Sequence, residues 1–427
     1  MDENSEFAAV TVKDHQLVPW PRVAAVGAMV AFSLPTFVTG LEVGAGLSPM
    51  NTVWALLWGS IIIVIIGAVM GVIGAKTRMS SYLLVRIAFG DLGASLVNIA
   101  FAISLLGWFG VNINLFMDAV AGLGRDIWGV ELPPIGLAIF ASFCMTLTTL
   151  IGFKAINLLA TLLVPVLAVV TVLLAKFALS KQTISEVFAV ETVETLSVGE
   201  GISAIVGAII IGAIILPDIT RFVKHWSGAI YTAIIAYIIV QLAVMGAAAL
   251  AGATSGKDDV LEIMLDLNLG IGAFITVIAG SWVLNSLNLY SAVLGMKATF
   301  PKFKTVLLTI VLGVIGVVAA LMNILDSFIT FLFYLSVIFI PVAGVLIIDA
   351  LLIRPKVYRI ETLEQNRRFN WKGFAAWAVG AVIAVLASDG IIPTLTKIAA
   401  IDAVLLSAII YIALAWNERE QKKVLAQ

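Results

Sequence analysis

Apolar residues in this chain come in runs long enough to cross a bilayer, separated by short polar connections. A spanning helix needs about 20 mostly apolar residues. Twelve such runs are legible, near 22–48, 52–74, 93–122, 134–153, 155–179, 199–217, 227–251, 270–296, 303–322, 325–353, 372–391 and 395–416. Basic residues cluster on alternate connections. With the N-terminus taken as cytoplasmic, twenty of the 25 Lys and Arg fall on that side, leaving only Arg125, Lys176, Lys181, Lys257 and Lys397 opposite. Such an excess marks the cytoplasmic face, and one missed or invented span would scramble it downstream. The pattern therefore predicts an all-α integral membrane protein with about 12 transmembrane helices, multi-pass in the inner (plasma) membrane, both termini cytoplasmic.

Two of the runs cannot be clean helices. Residues 32–48, FSLPTFVTGLEVGAGLS, hold Pro35, Gly40, Gly44 and Gly46 and place Glu42 among apolar neighbours. Residues 206–222, VGAIIIGAIILPDITRF, are interrupted at Gly207, Gly212 and Pro217. In hydrocarbon an unpaired peptide group costs several kcal/mol, so a break survives only against protein or a wet cavity. Interruptions at corresponding places in two halves point to a binding site near the midplane. Gly and Pro are also common in membrane helices, so the interruptions alone leave both readings open. The expected layout is an N-terminal tail over 1–21, one transporter domain over 22–416 and a tail over 417–427. Within the domain, 22–179 and 199–353 form two repeats, related by their broken helices with no alignable identity, and 372–416 a peripheral pair.

Polar side chains inside spanning runs are costly and are candidates for function. In the third run Ser104, Trp108 and Asn112 fall at i, i+4 and i+8, on one helical face. An indole beside an amide suits a flat ligand that is stacked on one side and hydrogen-bonded at its edge. A packing Trp with an interhelical amide bond is the plainer alternative. In the eighth run Ser281, Asn285 and Asn288 share a face at i, i+4 and i+7. Glu42 is either a proton carrier, since a carboxylate in a low-dielectric site gains proton affinity, or a solvated rim charge. Asp218 and Arg221, at i and i+3, form either a gate pair or a helix-end ion pair. The acidic connections 181–200 and 252–266 read as solvated faces, the second with a possible short helix, and the loop over 354–372 as a topology anchor.

Composition narrows the classes. Of 427 residues 61% are hydrophobic and 12% charged, and the mean hydropathy is +1.11. Soluble domains run about 45–50% apolar and about 25% charged. A net charge of −1 offers nothing to nucleic acid. Cys144 stands alone and His15 and His225 lie in separate loops, so neither a disulfide nor a His/Cys metal cluster is expected, and no cofactor. No nucleophile–base pair suggests an enzyme. The partners expected are the lipid bilayer and a small heterocyclic substrate. The sequence carries no signal for oligomeric state.

Four stretches resemble the bacterial cytosine permeases of the nucleobase–cation symporter family: GVIGAKTRMSSYLLVRIAFGDLG (71–93), GWFGVN (107–112), PDITRF (217–222) and IPVAGVLIIDALLIRPKVY (340–358). The resemblance runs in order through almost the whole chain. It implies a LeuT-type five-plus-five inverted repeat with helices 1 and 6 broken and helices 11 and 12 peripheral. It also implies import of a nucleobase or small related heterocycle, with Trp108 stacking on the ring and Asn285 close to the substrate. A vitamin precursor of the hydroxymethylpyrimidine kind, a ureide, or a passive facilitator on the same fold are the alternatives. Departures from the family pattern bear on the chemistry. Leu105 stands where the family has glutamine, Ala208 and Ile209 where it has serine and phenylalanine, and Val283 and Leu284 where two threonines help hold sodium. Aliphatic side chains supply no oxygen ligand, so proton coupling, through Glu42, is favoured over sodium.

Overall fold

The computed structural model describes residues 11–257, 259–266, 270–321, 328–363 and 366–424. The helices in chain order are α1 Trp20–Ala31, α2 Leu34–Gly46, α3 Pro49–Thr77, α4 Ser81–Trp128, α5 Pro134–Ile151, α6 Phe153–Lys181, the short α7 Ile184–Phe188, α8 Val198–Ile214 and α9 Pro217–Thr220. There follow α10 Ser227–Ile234, which runs through a π-helical turn into α11 Gln241–Ser255, then α12 Val260–Asp266, α13 Gly270–Ile275 and α14 Ser281–Thr299. The chain closes with α15 Thr305–Ala320, α16 Phe328–Ile348, α17 Trp371–Ser388 and α18 Ala399–Val424. Among the described residues nine helices are long and apolar enough to span, and ten with α1 and α2 taken as one bent span. The shorter α15 and the composite α13–α14 stretch occupy the other two expected positions.

The first break lies earlier than the glycine pattern suggests. α1 and α2 meet at 51°, and the chain leaves helical geometry at Phe32 and Ser33 (Ser33 φ −91°, ψ 153°). The hydroxyls of Ser33 and Thr36 donate to the Val30 carbonyl at 2.9 and 3.2 Å, satisfying an acceptor freed by the break. Pro35 sits in the first turn of α2, where a missing N–H costs nothing. Gly40 and Gly44, by contrast, lie inside a regular helix. A Cβ at Gly40 would strike the backbone of Met245, and one at Gly207 in α8 would strike the Leu332 carbonyl. These glycines let helices touch at the backbone, as small residues do in membranes. In the sixth span the irregularity is at Ile215 (φ −88°, ψ 7°), with Pro217 opening α9.

The two halves pack in a reciprocal way. α2, in the first span, lies against α11 in the seventh, while α8, in the sixth, lies against α3 in the second. α1 meets α6 of the fifth span as α8 meets α16 of the tenth, and α4 meets α15 as α14 meets α5. α4 and α14, the third and eighth, pack on each other. Exchanging the first five spans for the second five reproduces the contacts, and α17 and α18 stand outside that exchange. This is the five-plus-five LeuT-type arrangement.

Three connections differ from their expected roles. α4 begins at Ser81 rather than near 93 and is bent at Gly90, whose φ of 79° favours glycine. The loop over 354–372 closes on this bend: Asp91 and Leu92 donate backbone N–H to the Arg367 and Arg368 carbonyls, and Asn370 N–H donates to Phe89. Asp349 holds the loop's start, its buried carboxylate accepting from Arg354 (Nε 2.8 Å, Nη2 2.5 Å), Tyr358 (2.7 Å) and Tyr411 (2.6 Å). The loop is thus a buckle on the third span as well as a basic segment. In the 181–200 connection Glu186 and Glu200 complete capping boxes with Thr183 and Ser197. Glu194 accepts from Ser48 N–H at 2.9 Å and Asn51 at 2.7 Å, pinning this loop to the start of α3.

Candidate functional site

A cavity remains between the bend of the first span and the irregular turn at Ile215 of the sixth. Its walls come from the first span (Gly27, Val30, Ser33, Thr36), the third (Leu105, Trp108), the sixth (Ala208, Gly212, Asp218) and the eighth (Leu284, Asn288, Ser291). Tyr237 reaches it from the π-helical turn of the seventh span. Most of the lining is apolar, with a few convergent polar groups, as expected of a site that orients one small ligand.

Trp108 and Asn288 are the predicted binding residues that line this cavity. Trp108 is held from behind by Phe328 and Phe331, edge to face at ring-centroid distances of 6.2 and 5.4 Å. Such support fixes the indole plane before a ligand arrives. Asn285 is fully buried one layer back. Its Nδ2 donates to the Phe109 carbonyl of α4 at 3.1 Å, and its Oδ1 faces Asn288 Nδ2 at 3.5 Å. It therefore joins the third and eighth spans and positions Asn288. Asn112 donates to the Trp108 carbonyl one turn back at 2.9 Å, and its Oδ1 has no hydrogen-bond partner among the described residues. Ser281, with no Oγ partner among the described residues either, and Ser104 are buried and lie outside the lining. Glu42 is exposed on α2 and lies outside the lining as well.

At the end of the cavity toward the basic loops sits Asp218, buried on α9. Its Oδ1 accepts from Ser81 N–H and Ser81 Oγ, both at 2.8 Å, and its Oδ2 from Ser291 Oγ at 3.3 Å. Arg221, equally buried, donates Nε to the Asp218 main-chain carbonyl at 3.2 Å and Nη2 to the Tyr290 hydroxyl at 3.1 Å. Phe222 stacks on Phe153 with centroids 4.5 Å apart and planes 6° from parallel. The sixth span is thus joined at this end to the third, fifth and eighth. A simple Asp218–Arg221 pair understates it: the two side chains reach different elements.

Several lining groups were open to sequence reasoning. Ser291 extends the Asn288 face by i+3, and Ser33 and Thr36 flank Pro35. Tyr237 carries no local signal; only the packing of the seventh span brings its ring to the cavity. Of the departures noted above, Leu105, Ala208, Ile209 and Leu284 line the cavity and Val283 lies outside its lining.

A bundle of two reciprocal halves, with irregular backbone in the first and sixth spans and a cavity between them, is the kind of architecture that membrane transporters build around a midplane site. A profile of the family described as "Permease for cytosine/purines, uracil, thiamine, allantoin" matches residues 24–411, and the chain belongs to that family. It is 29% identical over 380 residues to the cytosine permease of Escherichia coli (strain K12), covering 88% of this chain and 86% of that one. The fold is similar to that of Mhp1, a nucleobase-cation-symport-1 family transporter solved in a closed conformation with bromovinylhydantoin bound. There the TM-score is 0.80 at 18% identity, covering 97% of this chain and 95% of the other. A Na⁺-coupled sialic acid symporter in an outward-open state matches at a TM-score of 0.67 and 14% identity, over 93% of this chain and 90% of the other. The relatives are transporters, not enzymes.

Proposed function

We propose that this protein imports a nucleobase or a small related heterocycle across the inner membrane by cation-coupled alternating access, with both termini cytoplasmic. The observation that carries the reading is the cavity between the first and sixth spans, lined by a braced Trp108 and by Asn288. A flat ring stacks on the indole while its heteroatoms bond Asn288, Ser33, Thr36 or Ser291. Membership of the permease family supports a ligand of this class. The change from glutamine to leucine at 105 and from serine–phenylalanine to Ala208 and Ile209 favours a substrate with fewer edge contacts on those sides than cytosine has in its permease.

Protons are favoured over sodium as the driving ion. Sodium needs hard oxygen ligands, and Val283 and Leu284 offer only aliphatic carbon. The test is uptake into proteoliposomes of a labelled panel of nucleobases, a hydroxymethylpyrimidine and a ureide, under a sodium or a pH gradient imposed separately. Saturable, pH-driven accumulation of one panel member is expected. Accumulation driven by sodium alone would overturn the proton assignment, and an inert panel would overturn the substrate class.

A further inference from the structure

The cavity contains one acidic side chain among its described lining residues, and it is Asp218. Its surroundings fit a group that changes charge during the cycle. The carboxylate is buried, so its charge is sustained by donated hydrogen bonds. Those donors come from two elements other than its own: Ser81 at the start of α4 and Ser291 on α14. The charged and titratable groups facing it are Arg221 on its own span, Tyr82 on α4 and, through Arg221, Tyr290 on α14. Arg78, in the connection between α3 and α4, donates to the main-chain carbonyls of Arg221, Val223 and Lys224 just beyond. α1 presents Gly27 and Val30 to the same end.

We propose that Asp218, rather than Glu42, takes up the coupled proton, and that its ionised form holds the end of the cavity nearest the basic loops shut through Ser81 and Ser291. This rests on the transport reading above. Hydrogen bonds to an ionised carboxylate are roughly twice as strong as those between neutral groups. Protonation at Oδ2, the oxygen with the longer contact, turns Asp218 into a donor toward Ser291 and leaves Ser81 bonded to a neutral carbonyl oxygen. The sixth span is then held less tightly against the start of the third. A proton entering through the cavity with substrate thereby weakens the latch. Its departure to the far side restores the charge and the closed end. Glu42 has no such position, being exposed on α2 outside the cavity.

The experiment compares wild type, Asp218→Asn and Glu42→Gln in proteoliposomes holding a trapped pH dye, using the panel member that wild type exchanges. At one proton per substrate, a gradient of about one pH unit sustains about tenfold accumulation, because 1.36 kcal/mol is tenfold in an equilibrium. Asp218→Asn imitates the neutral state. It should lose both accumulation and dye response, whatever rate of exchange it retains. Glu42→Gln should keep all three. Persistent pH-driven accumulation in Asp218→Asn overturns the proposal, as does wild-type exchange that moves no protons, which would leave the transport reading standing. Should Asp218→Asn exchange nothing, Ser81→Ala decides. It keeps the carboxylate but removes one donor to its charged form, so the pH midpoint of driven uptake should move up; an unmoved midpoint overturns the latch.

Discussion

Removing the Asp349 carboxylate is expected to unfasten the loop over 354–372 from the bent start of the third span. The carboxylate is fully buried and accepts from Arg354, Tyr358 and Tyr411 at 2.5–2.8 Å. Burial beside that charge pushes the Tyr358 phenol well above its ordinary value, which keeps it a donor. In Asp349→Ala the guanidinium of Arg354 stays buried with the Ile87 carbonyl at 2.8 Å and Glu418 at 3.9 Å. Breaking a buried pair in this way costs about 3–5 kcal/mol. Tyr358→Phe or Tyr411→Phe removes one bond to a charged acceptor, about 1.5–3 kcal/mol each. The double variant Asp349→Leu/Arg354→Met should lose less than Asp349→Ala, because the uncompensated charge carries most of the cost. Thermal melting of the purified protein in detergent gives the order, and amide protection over 86–92 reports whether the loop has let go. An Asp349→Ala protein that melts no lower than the Tyr→Phe variants would refute the reasoning. So would a double variant that melts lowest of all.

Trp108→Ala should weaken substrate binding by about 5- to 150-fold, the equivalent of the ~1–3 kcal/mol that ring stacking on an aromatic supplies. Equilibrium binding in detergent checks this, with melting temperature as the control for folding. Donation from Ser48 and Asn51 holds the Glu194 carboxyl below its usual value of 4.5. A depressed folded value means that the pin on α3 is present above that usual value and is lost as pH falls through the lower one. Protection factors over 46–51 and 193–197 should therefore drop in acid, and Glu194→Gln should abolish the pH dependence of that drop.

That the chain is a succession of membrane-spanning helices, with irregular backbone near Pro35 and Pro217, was legible in the sequence. The cause is that a bilayer leaves few choices. A backbone group there is paired within a helix or placed beside a cavity, and helical spacing alone puts residues on a common face. The helix spacing of Ser281, Asn285 and Asn288 was likewise plain, but which of them meets ligand was not. That depends on how α14 is rotated against α4, where Phe109 takes the Asn285 amide and leaves Asn288 at the cavity. Gly40 and Gly207 read as weak points and serve as contact points, because the backbones they admit, at Met245 and Leu332, lie some 200 and 125 residues away. Asp218 is the sharpest case. In sequence it is a carboxylate three residues before an arginine at a helix end. Only the fold brings Ser81 and Ser291, each more than 70 residues away along the chain, to its two oxygens.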